Sequence, residues 1–256
     1  MIPKNSFFEV VFVYEDKTNY VKIKPNNQVM AIDLGLNNLA TCVTNGVVRP
    51  FMINGKPLKS INQYYNKKAS NIKSGLMKRN AKHWSAKLDT LNACRARKIN
   101  DYLHKASAKV VKQCLENQIS TVIIGDVANS NYKINLGKKT NQNFVNISLG
   151  QFIEKLKYNL ERHHIKVVVR EESYTSKGSF IDNDILPKKY EEAKSYRFSG
   201  KRVKRGLYVS KFGKKINADV NGAYNLLRKE TPEFSYASLH NSNGVEGWLI
   251  PHKLVV

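Results

Sequence analysis

The chain has 256 residues, enough for one large domain or two small ones with a buried core. It carries 43 lysines and arginines against 20 aspartates and glutamates, a formal net charge of +23, and its pI is about 9.9. Because such an excess of positive charge repels itself strongly, we expect a polyanion to cover part of the surface, and nucleic acid is the polyanion that the composition favours.

The same composition argues against several other classes of protein. No apolar stretch approaches the roughly 18 residues that a membrane-spanning helix needs, and no basic-then-apolar signal opens the sequence, so we expect a cytoplasmic protein with no membrane partner. The cysteines are far apart and odd in number, which excludes a disulfide framework and a CxxC metal knuckle. They are Cys42, Cys94 and Cys114.

The first half of the chain predicts strands and then a basic helical region. Residues 7–24 alternate loosely around a turn-like run at 15–19, which predicts a small N-terminal hairpin. An antiparallel meander is predicted next, with strands at residues 29–34, 39–43 and 47–53. The dipeptide Asn45-Gly46 is a strong hairpin signal between the last two strands. Residues 58–117 are rich in Lys and Arg with helical spacing in their second half, so we expect a basic helical hairpin broken near Asn80.

The second half of the chain predicts alternating strands and helices. We expect strands at 121–124 and 165–169, an amphipathic helix at 149–160, and a final helix from about Asp219 to Lys229 that Pro232 ends. Residues 177–217 are basic, with several turn glycines. The order of three strands, helices, strand, helix, strand, helix predicts an α/β, RNase H-like (RuvC-type) mixed sheet with an insertion before the last helix.

Two aspartates have the placement that phosphodiester hydrolysis by two metal ions requires. Such chemistry gathers carboxylates at one edge of a sheet, because two Mg²⁺ ions about 3.5–4 Å apart must clamp the attacking and leaving oxygens. Asp33 lies inside an apolar strand, where an unpaired charge is costly and a metal would compensate it. Asp219 lies at a predicted helix start, where an acid suits the helix dipole. The structural alternatives are a strand-end turn cap for Asp33 and a plain helix cap for Asp219.

The third carboxylate is ambiguous in the sequence. The central strand at 121–124 ends in Gly125-Asp126, and Asp126 is equally acceptable as a ligand or as a loop residue. The last strand runs directly into Glu171 and Glu172. Because side chains alternate along a strand, at most one of these two glutamates would reach a shared site.

Basic residues recur along the chain and predict a nucleic-acid surface with aromatic side chains available for base stacking. A single charge run is usually a solvated helix face, but here the pattern repeats from the helical region to the segment before the last helix. The candidate nucleic-acid-binding residues are Lys67, Lys68, Lys78, Arg79, Lys82, Arg95, Arg97, Lys201, Arg202, Lys204 and Arg205.

Four motifs together resemble the TnpB, or OrfB, family of insertion-sequence proteins, the transposon relatives of type V CRISPR effectors. They are Ala-Ile-Asp-Leu-Gly-Leu at 31–36, Asp-Tyr-Leu-His-Lys-Ala-Ser at 101–107, Tyr-Thr-Ser at 174–176, and Asn-Ala-Asp-Val-Asn-Gly-Ala-Tyr-Asn at 217–225. The resemblance implies an RNA-guided, metal-dependent DNA endonuclease whose guide RNA derives from the transposon end. It also implies that Asp33 and Asp219 match the first and last catalytic aspartates.

The sequence departs from this family pattern in three places. Gly125 stands where the family usually has its catalytic glutamate; a family branch with Gly there also carries the Glu-Glu-Ser-Tyr-Thr-Ser run, so Glu171 and Glu172 are the substitutes that the resemblance implies. The four cysteines of the usual zinc ribbon are absent, so no zinc is predicted. The N-terminal helical and wedge regions are largely missing, which leaves open a truncated copy, a minimal derivative, or a split gene with a separate N-terminal polypeptide.

The resulting hypothesis divides the chain at residue 28. Residues 1–27 are interpreted as a remnant of the N-terminal wedge-like β region. Residues 28–256 are interpreted as the RuvC domain, with a helical insertion at about 58–118 and a cysteine-free insertion at the zinc-ribbon position at about 177–217. The predicted partners are DNA and guide RNA, and the predicted site holds two Mg²⁺ through Asp33, Asp219 and Glu172 or Glu171. The rival hypotheses are a binding protein of the same family that has lost its cutting activity, and a basic ribosomal or RNA-packaging protein.

Overall fold

The computed structural model describes residues 1–3, 8–46, 48–80, 83–126, 149–187, 196–240 and 245–256. The strands are β1 (Ile2–Pro3), β2 (Phe8–Glu9), β3 (Val29–Leu34), β4 (Asn38–Thr44), β5 (Phe51–Asn54), β6 (Thr121–Gly125), β7 (Lys166–Arg170), β8 (Lys201–Lys204), β9 (Leu207–Val209), β10 (Lys215–Ile216) and β11 (His252–Leu254). The helices are α1 (Lys56–Asn80), α2 (Ala86–Glu116), α3 (Leu149–Glu161), α4 (Ala218–Glu230) and α5 (Tyr236–His240), with a 3-10 helix at Val245–Trp248.

Six strands form one mixed sheet in the order β11-β5-β4-β3-β6-β7. Strands β3, β4 and β5 are antiparallel neighbours, so the predicted meander is confirmed, and Gly46 takes the positive φ of 102° that its turn requires. Strands β6 and β7 continue the sheet parallel to β3. Strand β5 begins later than predicted because Pro50 cannot donate a ladder hydrogen bond. Strand β11, which pairs parallel to β5, was not predicted.

Side-chain alternation assigns the two faces of the sheet to two separate cores. Met30 and Ile32 on β3 point into a core shared with α2 and α3, whereas Val29 and Ala31 point into a core shared with α4. Asp33 lies two residues after Ala31, so its side chain is on the same face of the sheet, the face that packs against α4. The β3 strand is apolar on both faces because helices cover both sides of the sheet.

The helical region forms the predicted hairpin, with its break after Asn80. Ser85 caps α2 by accepting a hydrogen bond from the backbone N–H of Leu88 at 3.2 Å. Arg95 on α2 donates to the buried amide oxygen of Asn62 on α1 at 2.7 Å and lies 4.8 Å from the ring centre of Tyr65. This guanidinium therefore ties the two helices together. No helix in the described ranges is both long and apolar enough to span a membrane.

The predicted N-terminal hairpin at 7–24 is wrong. Strand β2 pairs with β1, and residues 10–26 have no regular strand. An isolated hairpin is only marginally stable in water. The residues of the predicted turn make other contacts instead: Asp16 accepts a hydrogen bond from Tyr20 and forms an ion pair at 2.6 Å with Arg162, which follows α3. The apolar side chains that were predicted to form the first strand of this hairpin are exposed to solvent, with Phe12 82% and Val13 95% accessible.

The cysteine-free segment before α4 folds into a small antiparallel sheet in the order β10-β9-β8. Side-chain hydrogen bonds help to hold it in place. The buried carboxylate of Asp184 accepts from the backbone N–H groups of Ser179 at 2.7 Å and Ser199 at 3.0 Å. Buried Tyr208 donates its hydroxyl to the carbonyl of Lys177 at 2.7 Å.

Leu103 tests the core between the sheet and α2. Its side chain is fully buried, so Leu103→Ala is expected to lower the free energy of unfolding by about 2–5 kcal/mol through lost burial and a residual cavity. Exposed Lys98 on the same helix provides the matched control, because Lys98→Ala should change stability by less than about 0.5 kcal/mol. Urea unfolding followed by circular dichroism measures both. Equal losses for the two variants would contradict this description of the core.

Candidate active site

Asp33 lies at the end of β3, where the sheet meets α4. The side chain is half-buried on the α4 face, and the helix approaches it through Gly222. A Cβ atom on Gly222 would lie only 3.3 Å from Asp33 Oδ2. The missing side chain at residue 222 therefore allows α4 to pack against this carboxylate.

Asp219 lies in the first turn of α4, one turn before Gly222. The helix cap is Asn217, whose side-chain oxygen accepts from the backbone N–H groups of Asp219 at 3.0 Å and Val220 at 3.2 Å. The alternative role of Asp219 as the cap itself is therefore excluded. Residues three apart on a helix share one side, so Asp219 projects on the side that faces Asp33. Its Oδ2 accepts from the Asn38 side-chain amide at 2.8 Å, and its Oδ1 lies 3.4 Å from the Arg202 guanidinium.

Glu172 fills the space that the missing side chain of Gly125 leaves. A Cβ atom on Gly125 would lie 1.5 Å from Glu172 Oε1 and 2.4 Å from its Cδ, so the two positions cannot both carry side chains in this arrangement. Gly125 ends β6, the strand beside β3. The glutamate carboxylate that follows β7 thus occupies the end of the central strand.

Burial and neighbouring acids raise the pKa of two of these carboxylates, Asp33 and Glu172. Burial raises the pKa of Asp33 well above its ordinary value, and the charges of Glu172 and Asp219 raise it further, while Arg202 opposes them. Burial also raises the pKa of Glu172 to about 7, with the charge of Asp126 adding to it and Lys229 opposing it. Glu172 Oε1 is buried and has no hydrogen-bond partner among the residues that the structure describes. Raised carboxylate pKa values with acidic neighbours are typical of carboxylates that share cations.

Glu171 points away from this cluster, and Asp126 lies beside it. Glu171 Oε2 is 3.2 Å from Lys229 Nζ near the end of α4, and the same ammonium donates to the carbonyl of Ser173 at 2.8 Å. Asp126 directly follows β6, donates its backbone N–H to the carbonyl of Arg170 at 2.7 Å, and acts electrostatically on Glu172. The geometry therefore favours Glu172 over Glu171 as the third acid and leaves Asp126 as a neighbour of the site.

The acids in the described part of the chain are not arranged around one point as the ligands of a metal ion are. Among the described residues, no group of three or more His, Cys, Asp or Glu side chains is arranged to hold a metal ion. Asp219 faces Asn38 and Arg202, and Glu172 lies over Gly125, so the carboxylates share an electrostatic environment without surrounding one point. The buried, unpartnered oxygen of Glu172 and the hard oxygen donors fit a divalent cation such as Mg²⁺.

A basic groove of about 850 Å³ opens beside Asp33 and Asp219. Among the predicted nucleic-acid-binding residues it contains Arg202, Lys204 and Arg205. The sequence did not single out Asn38, Lys56 and Lys253, which also line it. Asn38 could have been found, because the tight turn after Asp33 returns the chain to the same strand end. Lys253 lies on β11, whose place in the sheet has no local sequence signal.

The remaining predicted binding residues lie outside this groove. Arg95 is engaged between α1 and α2, and Lys82 falls outside the described residues. Lys68 lies 5.8 Å from the ring centre of Tyr64, an exposed pair on α1. The others are exposed: Lys67, Lys78, Arg79, Arg97 and Lys201.

Glu172 should make the stability of the metal-free protein depend on pH. Its pKa is about 7 in the folded chain against an ordinary value of 4.5, so its stabilising contribution is complete below pH 4.5 and is lost as the pH rises through 7. Relative to Glu172→Gln, the wild type should therefore lose about 1–3 kcal/mol of unfolding free energy across that window. Denaturant unfolding with a chelator present measures it. A difference that stays constant from pH 4.5 to above 7 would contradict the placement of Glu172.

Gly125→Ala should displace the Glu172 carboxylate. The added methyl group collides with the flexible end of the Glu172 side chain, so the fold should survive while Glu172 moves and its pKa falls towards 4.5. Side-chain NMR titration of Glu172 measures this pKa. Gly75→Ala on α1 is the matched control, because a Cβ there meets nothing within 4 Å. An unchanged Glu172 titration in Gly125→Ala would show that the two positions do not compete.

Two family models match the chain. Residues 11–131 match OrfB_IS605, a probable transposase, and residues 150–226 match the Cas12f1-like TNB domain. No curated protein sequence matches. The predicted resemblance to the TnpB/OrfB family is thereby confirmed.

Solved structures of type V CRISPR effectors share the fold. A cryo-EM structure of a Cas12f1–sgRNA–target DNA complex matches with a TM-score of 0.54 at 17% identity. The match covers 80% of this chain and 51% of the Cas12f1 chain. A CRISPR-Cas12f ternary complex has a TM-score of 0.57 at 17% identity, covering 82% and 40%. The AacC2c1–sgRNA–extended non-target DNA complex has a TM-score of 0.52 at 13% identity, covering 70% and 22%.

The chain thus spans about half or less of the length of these structures, and at such identities the likeness concerns the fold alone. Together with the family models, it identifies the chain as a mixed α/β protein similar to OrfB-type probable transposases over residues 11–131 and to Cas12f1-like proteins over residues 150–226.

Proposed function

We propose that this chain is an RNA-guided DNA-binding protein that cuts DNA with divalent cations in an RNase H-like (RuvC-type) domain. One observation carries the proposal: carboxylates from three distant parts of the chain meet at one edge of the sheet, where α4 packs against Asp33 through Gly222 and the charges of Glu172 and Asp219 both act on the Asp33 carboxylate. A buried structural carboxylate normally has a hydrogen-bond partner, whereas the buried Oε1 of Glu172 has none among the described residues.

The sheet topology supports the RNase H-like part of the proposal. An antiparallel β3-β4-β5 unit is followed along the chain by β6 and β7, which are parallel to β3, and by α4, which packs over β3 and β4; this is the order of elements expected from the sequence. Under the same proposal, residues 1–27 are the remnant of a wedge-like β region, and β8 to β10 occupy the zinc-ribbon position. Hydrogen bonds to Asp184 serve there in place of zinc.

Asp33, Asp219 and Glu172 would hold two Mg²⁺ ions, with Asp126 close enough to act on Glu172. The ions would supply positive charge that stabilises the phosphodiester during in-line displacement. The chain's own residues prepare the site. Gly125 and Gly222 admit Glu172 and α4 close to Asp33, and Glu172 releases its proton near pH 7 so that cation binding becomes stronger as the pH rises through that value.

The basic groove would hold the DNA backbone next to these acids. Arg202, Lys204 and Arg205 line one side of it, and Lys56 and Lys253 contribute from α1 and β11. Exposed lysines and arginines on α1 and α2 extend the positive surface beyond the groove and would contact guide RNA or DNA. The matched complexes contain sgRNA and DNA, which supports RNA and DNA as the partners proposed here.

The rival function is RNA-guided binding without cutting. Two observations favour it: the described residues form no closed metal shell, and Arg202 forms an ion pair with Asp219. The two functions differ in whether the carboxylates can be drawn around a cation.

Cleavage of a guided target tests the proposed function. The protein is incubated with RNA transcribed from the adjoining transposon end, a plasmid library carrying the matching target, and Mg²⁺. Asp33→Asn, Asp219→Asn and Glu172→Gln should each lower cleavage about a hundredfold or more, because each removes a charge that the cations need. Glu171→Gln is the matched control and should retain cleavage, since Glu171 faces Lys229.

The same assay separates the rival functions. Retention of the guided target on a filter without cutting by the wild type would favour the binding protein. Cleavage that survives in a chain carrying both Asp33→Asn and Asp219→Asn would overturn the proposed active site.

A further inference from the structure

Both oxygens of the Asp219 carboxylate have partners within the protein. Oδ2 accepts from the Asn38 amide at 2.8 Å, and Oδ1 faces the Arg202 guanidinium at 3.4 Å. The charge of Arg202 also acts on Asp33 and opposes the rise in its pKa. One guanidinium therefore contacts Asp219 and acts electrostatically on Asp33, the two aspartates that the proposed function assigns to divalent cations.

Arg202 reaches the aspartates from an exposed, irregular strand. It lies on β8, which pairs with β9 and has a register shift between Arg202 and Lys204. Irregularities of this kind bend a strand and redirect its side chains. Arg202 and Lys204 both line the groove, and the Arg202 side chain is 45% exposed. The guanidinium can therefore turn to another partner without refolding the small sheet.

We propose that Arg202 is a positioning residue that exchanges partners: it holds Asp219 while the groove is empty, and it moves to a DNA backbone phosphate when DNA enters. The movement leaves Asp219 Oδ1 open to a divalent cation. This inference rests on the proposed function, since it assumes that Asp219 binds a cation and that the groove binds DNA.

The chemistry of the guanidinium suits this exchange. A guanidinium and a divalent cation repel each other, so they cannot share the same carboxylate oxygen at full strength. The planar guanidinium binds phosphate with two parallel hydrogen bonds, whereas only one 3.4 Å contact joins it to Asp219. Exposed ion pairs are weak, so a phosphate in the groove can replace Asp219 as its partner.

The exchange would couple the binding of DNA to the binding of the cation. DNA that removes Arg202 from Asp219 strengthens cation binding, and by linkage the cation strengthens DNA binding to the same degree. The groove would then acquire its cations mainly when a substrate strand is present. Mutation of Arg202 should break this coupling in a defined direction.

Mn²⁺ binding measured by electron paramagnetic resonance tests the exchange. The full chain is titrated with Mn²⁺ alone and with a short single-stranded DNA oligonucleotide, after subtraction of Mn²⁺ bound by the oligonucleotide. Arg202→Ala should bind Mn²⁺ about three- to tenfold more tightly than the wild type without DNA, because the competing cation is gone. The oligonucleotide should strengthen Mn²⁺ binding to the wild type and leave Arg202→Ala nearly unchanged.

Two further variants separate positioning from general charge. Lys211→Ala removes the same charge from the β9–β10 turn, which does not line the groove, and should bind Mn²⁺ as the wild type does. Arg202→Lys keeps the charge but loses the planar fork, so it should restore the competition with Mn²⁺ while showing weaker coupling to DNA. Thermal unfolding confirms that the variants are folded.

Each outcome has a distinct meaning. Equal Mn²⁺ affinities of Arg202→Ala and Lys211→Ala, with clear binding by the wild type, would overturn the exchange and leave the proposed metal site standing. No Mn²⁺ binding by the wild type, either with or without DNA, would overturn the proposed function itself. Tighter binding by Arg202→Ala together with lost coupling to DNA supports both.

Discussion

The candidate site depends on the close approach of negative charges that the rest of the structure forces together. Asp33 is fixed by the pairing of β3 with β4 and β6, and Asp219 is fixed by the cap of α4 at Asn217. Glu172 follows β7 and lies over Gly125. Apolar packing on both faces of the sheet holds these acids near one another despite their repulsion. This packing contributes far more to stability than a few unfavourable charge contacts remove.

Both ends of helix α4 help to position the residues of the site. Its first turn carries Asp219, its next turn brings Gly222 against Asp33, and its last turn contains Lys229 and Glu230. Lys229 holds Glu171 and the carbonyl of Ser173, while Glu230 forms an ion pair with Arg170 at the end of β7. The segment that carries Glu172 is thus attached to the helix that carries Asp219.

The sequence predicted the parts that strong local patterns determine. The meander, the basic helical hairpin, the parallel strand at 121–124 and the helix beginning near Asp219 were all found from apolar periodicity and turn residues. The prediction of an N-terminal hairpin was wrong because an alternating pattern does not by itself provide a sheet or helix for the apolar side chains to pack against. Asp16, in the predicted turn, instead forms an ion pair with Arg162. Strand β11 was missed because three residues at the sheet edge, including Lys253, carry no periodic signal.

The site itself was only partly predictable. Alternation indicated that Glu171 and Glu172 point in different directions, but the choice between them depends on Lys229, which lies more than fifty residues later in the chain. The contact between Arg202 and Asp219 has no signature in the sequence, since β8 reads as an ordinary basic run. Such contacts arise from the packing of the small sheet against α4, which is a property of the tertiary structure.

The overlap of Glu172 with the missing side chain of Gly125 restricts how such a site can change over generations. An acid that follows β7 can reach the end of the central strand only after residue 125 has lost its side chain, because even a single methyl group fills the same space. In this arrangement, residue 125 must be glycine for as long as Glu172 occupies the end of the central strand. Residues 125 and 172 should accordingly vary as a pair among related sequences.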